Sequence, residues 1–598
     1  MEVAASPYLD SNSGLKEFRD QLNEIREQEL FCDVKIRLNN GENCTLSVHR
    51  AILASCSPFF RSLFTSAMAD SKKVEILLPE ISKEEIETII QFAYTNQVDL
   101  SPDTIESIFI AADRLHVLGL LKLCANYLEE NVDPLNAVGV YRLAHHCHCR
   151  FLEVRVENYI VTHFDQVWKE SAEFLQLHIN ELLPILQHNR LNVPTENMVV
   201  QASMRWVHHY PKRKRHYYDL LATARLGRCD KFFIEDVILK NKTIMAQKAC
   251  RDLVYKAYAM SQFTLLQKTQ NYLNAPCYML MPRNPHGVIF ILGGWTNDSV
   301  CGHMESYDNR VGRWYSLKTT VEEKPLAYHA LVTHGRFVYV IGGFTTATCL
   351  NTVKRWDPLE EQWEVIANMH DKRCYVGAAA IDNYVYACGG FDGETRHSSA
   401  EKYCPQKNQW CYIAPMRSIR SDSGVCALDG LLYVCGGFDG GACLISTEVY
   451  SPKTNQWTMI EDMGIHRSGV AVASFEGYIY VLGGFNGLQR LGSVERYHPA
   501  TKKWSTVNGM SHSRSNFAIT TLERKIYAIG GFNGTSTSNT VECYDIDKDE
   551  WTTVKNLVVG RSATSACTVY GLLNVMDYTF FTKDLPYQQR SNAISTRV

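Results

Sequence analysis

Arg467-Ser-Gly-Val-Ala-Val-Ala473, Gly477-Tyr-Ile-Tyr-Val-Leu-Gly-Gly484, Ser493-Val-Glu-Arg-Tyr497 and Lys503-Trp-Ser-Thr-Val507 are four short β-rich runs separated by turn residues. Such a string reads as a four-stranded antiparallel meander. Its second run, Tyr478 to Leu482, is continuously apolar, which suits a strand buried on both faces. The glycine pair ends that strand where the chain turns and packs closely without a Cβ. Tyr497 and Trp504 are large plates able to fill a wedge between neighbouring sheets. The same sentence recurs along the second half of the chain. Gly-Gly begins at Gly293, Gly342, Gly389, Gly436, Gly483 and Gly530, in one step of 49 residues and four of 47. A tryptophan follows each pair at the same pace, from Trp314 through Trp363, Trp410, Trp457 and Trp504 to Trp551. A period of this length with one meander per repeat predicts a six-bladed all-β propeller around a central channel.

A ring of sheets must hide its first and last edges. Val288-Ile-Phe-Ile-Leu292 precedes the first Gly-Gly, yet Met281-Pro-Arg-Asn-Pro285 before it contains no first strand. After the last tryptophan, Gly560-Arg-Ser-Ala-Thr-Ser-Ala-Cys-Thr-Val569 reads as a first strand without a second. The expectation is that this C-terminal strand completes blade 1.

The whole chain has 598 residues, too many for one core. Its 61 Lys+Arg against 64 Asp+Glu leave no global field that would draw it to nucleic acid or to an anionic membrane. Met1 to Pro7 lacks the basic and apolar regions of a secretory signal, and no run has the length of a membrane span. The reading is a soluble, cytoplasmic protein. Twenty cysteines, spread widely and often at strand positions, read as buried reduced thiols. His145-His-Cys-His-Cys149 lacks a second half-site, so no metal is expected; Lys212-Arg-Lys-Arg215 reads as a solvated loop.

In the first half, Phe31-Cys-Asp-Val-Lys-Ile-Arg-Leu38 alternates as a strand and hands over to helical patterns. Asp33-Val, His49, Ser57-Pro-Phe-Phe60, Phe92-Ala-Tyr-Thr95 and Ala111-Ala-Asp-Arg-Leu115 resemble a BTB domain, an α/β fold that usually dimerises. The stripe Leu15, Phe18, Leu22 and Ile25 resembles the N-terminal helix that such dimers exchange. Beyond Asp133 the pattern is all helical. Phe174-Leu-Gln-Leu177, Ala202-Ser-Met-Arg-Trp-Val207 and Ala224-Arg-Leu226 resemble the all-α BACK domain that follows BTB in kelch-like proteins, whose blades the Gly-Gly repeats in turn resemble. The organisation read from this is a flexible start (1–14), BTB (15–132), BACK with its 3-box (133–262), a linker (263–286), the propeller (287–570) and a tail (571–598).

The resemblance implies a substrate adaptor of a Cullin-3 RING ubiquitin ligase: a BTB homodimer, with Cullin-3 and a protein substrate as partners. It implies no catalysis and no cofactor. In the family the cullin contact centres on an apolar-x-acidic triplet, here Met68-Ala69-Asp70, supported by the helices of about 134–164. The residue after each Gly-Gly opens a loop at one mouth of the channel and is aromatic in every blade: Trp295, Phe344, Phe391, Phe438, Phe485 and Phe532. Family pockets also use the repeat arginine, here Arg420 and Arg467 among others, and the residue two beyond it, here Tyr328, Tyr375, Asp422 and Asn516. Each aromatic has an alternative reading as packing. The third set varies from blade to blade, which favours recognition. Two rivals remain: a copper oxidase, which needs a metal-ligand set and leaves BTB and BACK unexplained, and an actin-binding kelch protein dimerised through BTB.

Overall fold

The computed structural model describes residues 11–38, 45–65, 74–78, 81–264, 267–268, 270–271, 277–317 and 325–580. The chain divides into two compact units, Met1–Val193 with Met198–Leu220, and Pro194–Asn197 with Leu221–Val598.

The first unit begins with helix α1 (Ser11–Glu27) and a small mixed sheet. Strand β1 (Val34–Leu38) pairs antiparallel with β2 (Thr45–Val48) and parallel with β3 (Glu75–Leu78), in the order β2-β1-β3. Helices α2 (Arg50–Cys56), α3 (Pro58–Thr65), α4 (Lys83–Thr95), α5 (Ile105–Arg114) and α6 (Leu118–Glu130) accompany it. The motifs that carried the BTB resemblance meet in space. The Tyr94 hydroxyl accepts from the His49 backbone N–H at 2.9 Å and lies 2.7 Å from His49 Nδ1, while Asp33 accepts from the Arg50 N–H at 2.8 Å. The Ser57 hydroxyl, fully buried, donates to the Leu115 carbonyl at 2.5 Å. Helix α4 starts on a capping box in which the Ser82 hydroxyl and the Glu85 carboxylate satisfy each other's backbone N–H. Helices α7 (Ala137–His146) and α8 (Arg150–Thr162) then pack as a pair.

The second unit carries six four-stranded antiparallel sheets. Five are consecutive meanders. In blade 5, for example, Ala471–Phe475, Tyr478–Leu482, Val494–His498 and Lys503–Val507 follow in order, with Leu482 opposite Ala471 and Trp504 opposite Tyr497. The second strands are the buried ones, as their unbroken apolar runs require. The sixth sheet closes the ring. Ser565–Tyr570 pairs antiparallel with Gly287–Leu292, from Ser565 opposite Leu292 to Tyr570 opposite Gly287, so blade 1 is built from both ends of the propeller. The mid-repeat tryptophans stitch neighbouring blades. Trp410 Nε1 donates to the Ala367 carbonyl at 2.9 Å, Trp457 to Ala414 at 2.7 Å, and Trp314 to Lys555 at 2.8 Å across the closure.

Past the closing strand, Gly571 to Phe580 is not a free tail. It folds into a short turn, Val575–Tyr578, and buries Tyr578 and Phe580 at the seam of blades 1 and 2. There the Tyr578 ring meets Phe290 and Trp356 edge-on at centroid distances of 5.1 and 5.7 Å. The segment has no counterpart in the repeat, and for that reason its packing was not readable from the register. No described helix is long and apolar enough to cross a membrane.

Candidate functional site

The residue two beyond each repeat arginine builds the wall of the channel. Tyr328, Tyr375, Asp422, Asn516 and Ala563 hold φ between 49° and 60°, and Gly469 sits at 58°. A left-handed backbone is unfavourable for a residue with a Cβ, but here each one is held by its neighbour. The Tyr375 N–H donates to the Tyr328 carbonyl at 3.0 Å, Asp422 to Tyr375 at 3.0 Å, Gly469 to Asp422 at 2.9 Å and Asn516 to Gly469 at 2.8 Å. Ala563 then donates to Asn516 at 2.7 Å, and Tyr328 to Ala563 at 3.0 Å, which closes a circle of six backbone hydrogen bonds. The backbone at this position is therefore structural in every blade. The side chains are free to differ, and they line a cavity of about 100 Å³ on the axis.

Two contacts organise that cavity. Tyr328 and Tyr375 stack with centroids 4.0 Å apart and planes 40° apart. On the opposite side the Asn516 carboxamide donates to Asp422 Oδ1 at 2.9 Å. Burial pushes the Asp422 carboxyl up to about 6, against the opposing pull of Asn516, Arg396 and Arg490.

Each mouth aromatic is half-buried and tied by its backbone. Phe391, for instance, exchanges two hydrogen bonds of 2.8 Å with Cys374, and Trp295 does the same with Ser562 at 2.7 and 2.8 Å. Four of the six rings also serve as faces for cations. The Arg396 guanidinium lies 4.9 Å from the Phe391 centroid and 4.8 Å from that of Phe438. Arg490 lies 4.1 Å from Phe485 and 5.3 Å from Phe532. Each arginine is thus clamped between the aromatics of adjacent blades. Among the described residues neither guanidinium lies within ion-pair distance of a carboxylate, although both act on Asp422 from further away, and burial lowers the Arg490 pKa. Arg396 and Arg490 escaped the sequence reading. Both stand five residues beyond a mouth aromatic, and their role becomes visible only when adjacent blades are placed side by side.

The repeat arginines do not face the mouth. Arg420 and Arg467 are 0% exposed. Arg420 Nη2 pairs with Glu448 at 2.9 Å while its Nη1 donates to the Gly436 and Ser446 carbonyls at 2.8 and 2.9 Å. Arg467 pairs with Glu495 at 2.8 Å in the same way, and Arg373, Arg514 and Arg561 repeat the arrangement with Glu401, Glu542 and Glu305. These side chains hold the loop before a blade to its third strand, so Arg420 and Arg467, expected at the mouth, are buried braces instead. Blade 2 lacks the brace. Leu326 stands in the arginine position and Lys354 in that of the glutamate, and a cavity of about 590 Å³ lined by both, with Trp363, lies at its seam with blade 1.

In the first unit, the triplet Met68, Ala69 and Asp70 lies outside the described residues. The paired helices expected beside it are present as α7 and α8. Exposed apolar side chains project from α8 and its surroundings: Phe151 at 49%, Val154 at 37%, Leu135 at 58% and Leu118 at 61%. On α1, Phe18 is 58% exposed, while Leu22 and Ile25 are half-buried. Large apolar groups left in water mark partner surfaces when they cluster.

Comparison with known protein families assigns residues 22–132 to the BTB/POZ domain and 137–239 to BACK, "BTB And C-terminal Kelch". Residues 325–370, 372–417, 419–464, 466–511 and 513–558 match the kelch motif. These five segments follow blades 2 to 6, while blade 1 is the one assembled from both ends. With its three modules in this order on one polypeptide, the chain belongs to the BTB–BACK–kelch family.

Proposed function

We propose that this protein is a cytoplasmic, dimeric substrate adaptor of a Cullin-3 RING ubiquitin ligase, and that its propeller mouth captures an acidic segment of a protein substrate. The observation that carries the substrate side is the pair Arg396 and Arg490. Each is half-buried, fixed between two aromatic faces, and without an ion-pair partner among the described residues. An arginine already desolvated and oriented loses little freedom when a carboxylate arrives, and its planar fork favours bidentate contact. Trp295, Phe344, Phe391, Phe438, Phe485 and Phe532 supply the rim in this reading. Tyr328, Tyr375, Asp422 and Asn516 form the floor that sorts one substrate from another.

The cullin side rests on Met68-Ala69-Asp70 together with α7 and α8, whose exposed Phe151 and Val154 suit an apolar contact. Dimerisation through α1 would give two mouths per assembly. The role needs no catalytic residue: holding a substrate lysine close to a charged ligase raises its effective concentration, and that is the activity.

The test uses the full chain expressed in cells. Cullin-3 should copurify with the wild type and with Arg396→Ala/Arg490→Ala alike. Proteins that accumulate beside the wild type under proteasome inhibition should be lost from the double variant. Absence of Cullin-3 from the wild-type complex, with cosedimentation on filamentous actin, would replace this reading by the actin-binding one.

A further inference from the structure

At the channel mouth, the residue five beyond the aromatic of one blade meets the residue that follows the arginine position of the next. Val300 and Ala327 share a small apolar cluster at one seam, and Arg396 Nε donates to the Ser421 hydroxyl at 3.0 Å at another. At the seam of blades 2 and 3 both positions are cysteine. Cys349 Sγ and Cys374 Sγ lie 3.0 Å apart. Both residues are held from behind. Cys349 is bridged to Phe344, and the Cys374 N–H donates to the Phe391 carbonyl at 2.8 Å. The two thiols already face each other across the seam.

We propose that Cys349 and Cys374 form a reversible disulfide that ties blade 2 to blade 3 at the channel mouth. The bond requires the sulfurs to close to roughly 2.05 Å. An oxidant of the glutathione-disulfide class balances the step. One protein thiolate attacks a glutathione sulfur and expels glutathione thiolate, and the second protein thiolate attacks the mixed disulfide and expels another. Two protein thiols lose two electrons and two protons, and one glutathione disulfide becomes two glutathione thiols. Cys349 is 6% and Cys374 1% exposed, and burial holds the Cys374 thiol protonated far above its usual range. Formation is accordingly slower than modification of the exposed Cys411, and the finished bond is shielded from reducing thiols in the same way. Its consequence is local: Cys374 adjoins Tyr375, so the link fixes the seam beneath the Tyr328–Tyr375 stack.

The experiment incubates the folded full chain with oxidised glutathione, blocks remaining thiols, and maps peptides without reduction. The expected result is a Cys349–Cys374 linked peptide that accumulates after Cys411 has reacted, disappears on treatment with dithiothreitol, and is absent from Cys374→Ser. Serine already occupies this position as Ser421, Ser468, Ser515 and Ser562, so the variant folds. Oxidation should also raise the melting temperature of the wild type by several degrees and leave that of the variant unchanged. Two outcomes overturn the proposal: quantitative modification of Cys411 with both partners still free, or glutathione retained on Cys349 or Cys374 with no link between them.

Discussion

The Asn516 carboxamide reaches the Asp422 carboxylate across 2.9 Å by passing over Gly469, where a Cβ would stand 2.6 Å from Asn516 Oδ1. Three consecutive members of the channel circle are thus fitted to one another. Gly469 is bare so that Asn516 can lie across it, and Asn516 supplies a neutral donor to a carboxylate that burial disfavours. Side chains that differ from blade to blade are carried here on a backbone that is the same in every blade.

That relationship sets a pH dependence. The Asp422 carboxyl titrates near 6 in the folded protein against an ordinary value of 3.8. Between those values the folded state keeps a proton that the unfolded chain has released, so stability from this group is fully present below pH 3.8 and is lost as pH rises to about 6. The loss is on the order of 3 kcal/mol. Asp422→Asn retains an acceptor for Asn516 and removes the charge. Thermal unfolding of the full chain should show the variant melting higher than wild type at pH 7.5, with the gap shrinking towards pH 4. A variant that melts lower at pH 7.5 would contradict this assignment.

The Gly-Gly register made the blades and their closure readable, because glycine pairs, apolar second strands and a spare C-terminal strand each have one structural use. Direction was harder. An arginine fixed in a repeat says nothing by itself about whether it faces solvent, and it is the pairing with Glu448 and Glu495 that turns Arg420 and Arg467 away from the mouth. The signal was nevertheless present: a glutamate follows each of Arg373, Arg420, Arg467 and Arg514 by 28 residues, and a charge repeated with its opposite is a brace. Arg396 and Arg490 occur in only two blades and act through a neighbour's aromatic, so no single repeat announces them. Tyr578 packs where no repeat residue does, and periodicity is silent about it.

The braces are open to a paired test. Arg420→Met leaves Glu448 fully buried without its cation, at a cost of about 3–5 kcal/mol. Glu448 Oε2 also accepts from the Arg417 N–H at 2.7 Å and Oε1 from the Ser418 N–H at 3.0 Å; glutamine, with a single acceptor oxygen, keeps one of the two. Arg420→Met/Glu448→Gln removes the unpaired charge at the cost of one hydrogen bond, and should therefore recover part of the loss in denaturant unfolding. If the double variant is no more stable than the single one, the desolvated charge is not what the arginine was balancing.

Helix α1 offers a test of assembly. Phe18 is 58% exposed on the same stripe as the half-buried Leu22 and Ile25. An aromatic left in water on a helix of the BTB domain is expected to be covered by a second copy of the chain. Phe18→Asp should shift the sedimentation coefficient from that of a dimer to that of a monomer at micromolar concentration while leaving the far-ultraviolet circular dichroism unchanged. A variant that still sediments as the wild type does would remove this face from the dimer.

The seam of blades 1 and 2 lacks the arginine brace of blade 2, and Tyr578 packs into it. Elsewhere two tyrosines meet between blades, as Tyr386 and Tyr450 do at 6.0 Å; here Phe290 and Trp356 meet at 5.1 Å without a buried arginine brace nearby. Tyr578 adds a third ring, its hydroxyl donates to the Pro358 carbonyl, and its own carbonyl accepts from the buried Ser306 hydroxyl at 2.7 Å. Tyr578→Ala empties that position and should cost about 3–5 kcal/mol, as for other buried aromatics, whereas Tyr578→Phe loses only one hydrogen bond, about 1 kcal/mol. Truncation after Thr564 removes the closing strand as well, exposing the Gly287–Leu292 edge, and should abolish cooperative unfolding of the propeller altogether. Graded loss across these three variants, read by calorimetry, is the outcome expected if the last residues close the ring and then lock it; equal melting of Tyr578→Ala and wild type would show that the lock carries no load.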